Sequence, residues 1–288
     1  MAAYSEDPWT EAQWAQVQEA VRDEAKKQRV AASFLPLYGP LPEDAQTVSL
    51  QELETCPNDA GTASFLEVKD HDTRRLTTLS VTVGLRSAQL SQPDLASALV
   101  AFRRAANLIA RAEDYLVFNG QTQTSPPLPA LQPCQATGGD VFDGMIQSAE
   151  NAGQKLLVGP GVTGPELVDL VVQATSMLEQ NGHLGPFALV LNTNLFALAH
   201  NPTNSLVLPA DRIRPLLDGP LLRSSTLGPG RRGILVSLGG ELADLVVASE
   251  IKVRFVQITA TPSLRYVYRV SQRFTLRIKQ PTAFALLS

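Results

Sequence analysis

Apolar positions recur along this chain in two rhythms, one helical and one alternating. From residue 10 onward, Trp14, Val17, Val21 and Ala25 fall at spacings of three and four, with Glu11, Gln18, Arg22, Lys26 and Arg29 on the other side. That pattern predicts a helix with one buried face, ending near Arg29. Thr10 with Gln13 makes a capping box, and Trp9 and Trp14 take the two staple positions that fix the angle of entry. Two prolines in F-L-P-L-Y-G-P (34–40) then break the ladder and force extended backbone. Residues 41–68 are polar and turn-rich, whereas 76–85 (LTTLSVTVGL) are dense in β-branched residues and predict a strand. Together these read as a long hairpin arm, which needs a neighbour because an isolated hairpin is marginal in water.

Pro93 and Asp94 open a long helix whose stripe is Leu95, Leu99, Phe102, Ala106, Ile109 and Leu116, stopped by Asn119 and Gly120. At ~1.5 Å per residue it is a rod of roughly 40 Å. Prolines and glycines punctuate 121–161, which reads as a linker or surface loop. Thr163 with Glu166 caps a further helix along Leu167, Leu170, Val171, Ala174 and Leu178. Short strands at 187–191, 234–237 and 245–248, with helical stretches at 194–200 and 211–218, make a compact α/β unit. In the final stretch Tyr266, Tyr268, Val270, Phe274, Leu276 and Ile278 face one side while Arg265, Arg269, Arg273, Arg277 and Lys279 face the other, a half-buried strand or hairpin.

Composition sharpens this picture at one point. With 44% apolar residues the 288-residue chain is folded, and no run approaches the ~20 apolar residues of a membrane-spanning helix. Only 18% of residues are charged, against about 25% in ordinary domains. An uncharged monomer surface would explain this, but burial against other copies explains it better, since extensive interfaces are depleted in charge at their centres. A net charge of −4 gives no electrostatic reason to bind nucleic acid. The early acids of MAAYSEDPW do not suit a secretory signal, so a cytoplasmic location is expected, with Cys56 and Cys134 as free thiols.

The residue chemistry nominates no catalyst. His71, His183 and His200 each lack a second metal ligand three to five residues away, and no G-x-S-x-G, Walker A or G-x-G-x-x-G motif occurs. Glu113 and Asp114 are adjacent on a helix, diverge by about 100°, and read as solvated rather than as an acid and base pair. The basic face of the last strand reads as a wet surface or as interstrand salt-bridge partners. No enzyme activity, metal or cofactor is expected.

The stretches DPWTEAQWAQVQEAV (7–21), FLPLYGPLPEDAQTV (34–48), AEDYLVFNG (112–120), EQNGHLGPFALVLNTNLFALAH (179–200) and RFTLRIKQPTAFALL (273–287), in that order, resemble an encapsulin shell protein. The resemblance implies an α+β fold, that of the major capsid proteins of tailed phages. Its parts map to an N-terminal helix and peripheral segment (1–40), an extended loop (41–85), a peripheral domain with a spine helix (86–160), an axial domain (161–250) and returning peripheral strands (251–288). It also implies a homo-oligomer of 60 or more copies, enclosing a ferritin-like or peroxidase cargo recognised through a short targeting peptide, without nucleic acid or membrane. On this resemblance Trp14, Val17, Val21, Phe34 and Leu37 match the cargo dock, and His200, Asn201, Pro202, Thr203, Asn204 and Ser205 map to the five-fold pore loop. Some relatives stack a flavin on a tryptophan beyond the extended loop; residues 85–89 here hold none, so no flavin is expected. The alternatives are a phage-type capsid protein, or an α/β small-molecule enzyme with an unrecognised site.

Overall fold

The computed structural model describes residues 9–42, 44–57, 64–122, 131–202, 207–230, 232–260 and 263–288. Helix α1 (Glu11–Gln28) leads through a turn into β1 (Leu37–Tyr38), then the arm strands β2 (Thr47–Ser49), β3 (Glu52–Pro57), β4 (Ser64–Lys69) and β5 (Thr73–Arg75). Next come β6 (Thr77–Leu85), α2 (Ser87–Leu90), the long helix α3 (Ala96–Asn119), β7 (Gln135–Gly138), α4 (Met145–Asn151) and β8 (Lys155–Leu156). Helix α5 (Gly164–Gln180), β9 (Phe187–Asn192), α6 (Thr193–Ala199), α7 (Pro209–Leu217), β10 (Leu221–Ser224) and β11 (Gly233–Ser237) follow. The long strands β12 (Ala243–Thr259) and β13 (Arg265–Ile278) precede β14 (Phe284–Leu287).

Two five-stranded sheets organise these elements, in the orders β1-β12-β13-β6-β7 and β10-β9-β11-β14-β8. Helix α3, 24 residues and so about 36 Å long, lies against β6 and β13, and α1 packs along it. Both expected capping boxes form, Thr10 with Gln13 and Thr163 with Glu166. The staple is an edge-on contact between Trp9 and Trp14, with ring centroids 5.2 Å apart. Trp9 also stacks on Tyr268 at 4.8 Å and meets Phe102 edge-on, tying the start of α1 to both the spine and the first sheet.

The second sheet is buried on both faces. Ala188, Val190, Ile234, Val236, Phe284 and Leu286 join the core beneath α3 and α4, while Leu189, Leu191, Leu235, Ala285 and Leu287 join a separate core under α5, α6 and α7. Two-sided burial is why these strands read as unbroken apolar runs (FALVL, GILV, FALL) rather than alternating ones.

The fold differs from the sequence expectation in several places, first in that 77–85, read as part of the arm, and 245–248, read as part of the α/β unit, both belong to the first sheet. Described residues within 121–161 are a built part of the core, not a surface linker: β7 pairs with β6, and Phe142, Met145, Ile146 and Ala149 are buried. Gln121 is buried too, accepting from the Thr77 hydroxyl at 2.8 Å and donating to the Gly138 carbonyl. Residues 284–287, grouped from sequence with the peripheral returning strands, instead pair with β11 and β8 in the second sheet. An apolar side chain at every position demands cover on both faces, and that sheet supplies it. Finally β12 runs eleven residues past Ala248, carrying register shifts near Val247, Ser249 and Phe255, so a boundary at 250 falls inside a strand.

Candidate docking and assembly surfaces

The five residues matched to a cargo dock separate into two groups. Val17 and Val21 are 0% exposed and face α3 and the first sheet, so they hold α1 in place and offer no surface to a peptide. This corrects their assignment: the helix stripe that repeats every three and four residues is the stripe that packs. Trp14 and Phe34 are half-buried against the same core, and Leu37 is 59% exposed. Leu37 is pushed outward because β1 pairs in parallel with Leu245 and Val246 at the edge of the sheet, with no strand beyond it.

Beside Leu37 a groove of about 380 Å³ opens between the C-terminal half of α1 and β12, lined by Arg22, Lys26, Arg29, Ala32, Ser33, Leu37, Glu250 and Ile251. The sequence reading missed its basic wall, although Arg22, Lys26 and Arg29 were visible as the polar face of α1. Arg29 is already committed: its Nε lies 3.2 Å from Glu113 and its Nη2 donates to Gln272 at 2.6 Å. Arg22 and Lys26 are exposed on the rim, with Glu250 across from them.

Glu113 and Asp114 are both buried, which overturns the expectation that they are solvated. Their position in the C-terminal third of the spine, where α1 ends, gives each a backbone or side-chain task. The Asp114 carboxylate accepts from the amides of Val30 (3.0 and 3.1 Å) and Ala31 (2.8 Å), closing the turn that leads from α1 to β1. Glu113 accepts from the Gln272 amide and pairs with Arg29. Burial pushes both carboxyls up from the usual range, Asp114 to about 8. The floor of the groove is therefore fixed by the spine helix rather than by α1 alone.

The arm is apolar and open. Among the described residues β3 and β4 pair only with each other, and on β4 Phe65, Leu66 and Val68 are 52%, 67% and 52% exposed. The root is firm: the Leu53 amide donates to the Lys279 carbonyl, and Arg277 donates to the Ser49 carbonyl. Arg277 itself is buried in a bidentate pair with Asp244 at 2.9 and 2.6 Å, with Lys279 3.1 Å from the same carboxylate. The basic face of the last strand thus becomes interstrand pairing at its inner end, while Arg265 and Arg269 are exposed at its outer end.

Of the pore loop, His200, Asn201 and Pro202 are described, and Thr203, Asn204 and Ser205 lie outside the described residues. His200 ends α6. Its ring stacks on Phe196 at 4.3 Å and its Nδ1 lies 2.9 Å from the Phe196 carbonyl oxygen. Among the described residues no group of three or more His, Cys, Asp or Glu is placed to hold a metal, and no helix is long and apolar enough to cross a membrane.

Two sheets, a spine helix, an arm that leaves the body and a double-faced second unit define a capsid-like shell fold. The virus-like particle from Pyrococcus furiosus superposes with a TM-score of 0.68 at 15% identity, covering 97% of this chain and 100% of that one. The solved structure of Mycobacterium phage Bobi gives 0.62 at 15%, over 90% and 89%. A family model described as an encapsulating protein for peroxidase matches residues 2–127 and 139–270. The type 1 encapsulin shell protein EncA of Myxococcus xanthus is 26% identical, over 99% of this chain and 95% of that one. The chain belongs to the encapsulin family, and it is a structural shell protein.

Proposed function

We propose that 60 or more copies of this chain close into an icosahedral cytoplasmic nanocompartment around a cargo enzyme, which a short targeting peptide tethers in the groove beside Leu37, and that the shell itself performs no chemistry. The observation that supports assembly most directly is the arm: Leu66 and Val68 on one face of β4 and Phe65 on the other are more than half exposed, on a strand pair that no other described strand joins. A soluble chain does not leave such a strand bare at no cost, and a neighbouring copy is the natural cover. Closed point-group symmetry then sets the minimum copy number.

For cargo, Leu37, Ala32 and Ile251 supply the apolar part of the groove, Arg22 and Lys26 supply a cationic rim, and Trp14 and Phe34 lie outside the lining. A peptide with two or three apolar side chains and an acidic residue or free carboxylate suits that lining; a ferritin-like or peroxidase enzyme carrying such a tail is the class of cargo expected. The polar segment 200–205 is proposed to line the five-fold opening. Negative-stain microscopy of the chain expressed alone tests the shell: closed particles tens of nanometres across are expected, and a monomer or small oligomer overturns it.

A further inference from the structure

We infer that the cleft between the spine helix α3 and strand β10 is a binding site for a phosphoryl-class oxyanion, either inorganic phosphate or a phosphorylated small molecule. The cleft has a volume of about 440 Å³, and its lining includes Arg104, Asn107 and Arg111 from α3, Arg223 and Ser225 from β10 and the turn after it, and Thr193 from α6. Arg104, Asn107 and Arg111 stand at i, i+3 and i+7, so all three share one face of the spine. Arg223 approaches from the other unit of the molecule.

Three arginines therefore line one polar cleft, and among the described residues none of them pairs with a carboxylate. Four arginines elsewhere do have such partners: Arg29 pairs with Glu113, Arg75 with Asp140, Arg214 with Asp211 and Arg277 with Asp244. Two of the three make side-chain contacts with uncharged groups. Arg104 donates to Asn107 Oδ1 at 3.2 Å, and the Arg223 guanidinium sits 5.7 Å from the centre of the Phe196 ring. Asp114 also lines the cleft, but both its oxygens are taken by the Val30 and Ala31 amides.

Asp114 is the one acidic residue of the lining and is committed to backbone amides, so among the described residues the three arginines have no carboxylate counterion in the cleft. An anion supplies one. Arginine forks donate two parallel bonds to phosphate or carboxylate, but donors arriving from two opposed elements call for oxygens pointing in more than one plane, as in a tetrahedral phosphoryl group. The hydroxyls of Thr193 and Ser225 add neutral donors, and the volume leaves room for more than the phosphoryl group itself.

The test uses full-length protein purified in phosphate-free buffer of low ionic strength. Calorimetric titration with inorganic phosphate, pyrophosphate and glucose 6-phosphate, each against chloride at matched ionic strength, should show saturable binding of at least one of them. Tighter binding of inorganic phosphate assigns the free anion as source, and tighter binding of the sugar phosphate assigns a small metabolite. Arg111→Gln and Arg223→Gln should each weaken binding by at least about tenfold, the size expected for losing a charge-assisted bond. Arg103→Gln, exposed and outside the cleft, should leave it unchanged. Ser225→Glu, at an exposed position, places a carboxylate at the mouth and should abolish binding in a chain that still folds. Absence of saturable binding by all three anions overturns the proposal, as does equal affinity in wild type, Arg223→Gln and Ser225→Glu. Loss of particle assembly in Arg111→Gln with no anion binding by wild type also overturns it, because the arginines then serve a neighbouring copy.

Discussion

Asp114 is a carboxyl group held where water does not reach, and its surroundings pull it two ways. Three amide contacts favour the charged form, and complete burial opposes it more strongly, leaving its folded pKa about 8. In the unfolded chain the same group titrates near ~4. Folding therefore takes up a proton at every pH between those values. The contribution to stability is fully present below pH ~4, declines as pH rises, and is lost once pH passes about 8. Unfolding by urea from pH 5 to 9, followed by the emission of the two tryptophans, should show this decline, and Asp114→Asn should flatten it. A decline of equal slope in Asp114→Asn would show that another group carries the titration. Asp114→Ala removes the acceptor for the Val30 and Ala31 amides and should cost about 1–3 kcal/mol at pH 6. The adjacent Glu113 is pushed up by the same burial, so it adds to the slope in the same direction.

At the level of elements, α1 shows which face of an amphipathic helix does what. Val17→Asp or Val21→Asp would bury an unpaired carboxylate between α1 and α3. Such chains should lose soluble shells altogether, read as yield of assembled particles. Leu37→Asp, on the exposed edge strand, should assemble normally and fall at least several-fold in co-purified cargo. Wild-type cargo loading in Leu37→Asp would move the dock elsewhere. The helix, its cap, its staple and the spine were all legible in the sequence, because local spacing and capping chemistry alone specify them. The groove was not, because it depends on β12 lying alongside α1, a contact more than 200 residues apart in sequence. Within 121–161 a local signal was present: Phe142, Met145, Ile146 and Ala149 keep helical spacing. Five prolines and six glycines nearby masked it. The burial of Glu113 likewise depends on Gln272 and Arg29, which only the tertiary fold brings to the spine.

At the scale of the whole molecule, the proposal makes the arm the element through which copies meet. The double variant Phe65→Asp with Leu66→Asp changes two exposed positions on a strand pair that the rest of the core does not require. It should leave a folded, helical chain that elutes as a monomer or small oligomer instead of a megadalton particle, as judged by size-exclusion chromatography with circular dichroism. Normal particles from this variant would show that the exposed apolar residues on the two faces of β4 are not assembly contacts. The two sheets were legible only in part: strand positions at 187–191 and 234–237 followed from unbroken apolar runs, but the partner of each strand did not.

Strand β14 lies between β11 and β8, flanked by residues 233–237 on one side and 155–156 on the other, and it also sits over α4 and α5. Synthesis runs from the N-terminus, so every neighbour of this strand is made before the strand itself. A growing chain that has already produced its arm and both long strands still has an open slot in the middle of its second sheet, and its two hydrophobic cores share no completed wall. Shell formation by such half-made chains would join bodies that are not yet shaped for one another. The position of these four residues thus leaves the second sheet open until β14 has been made and has entered between β11 and β8.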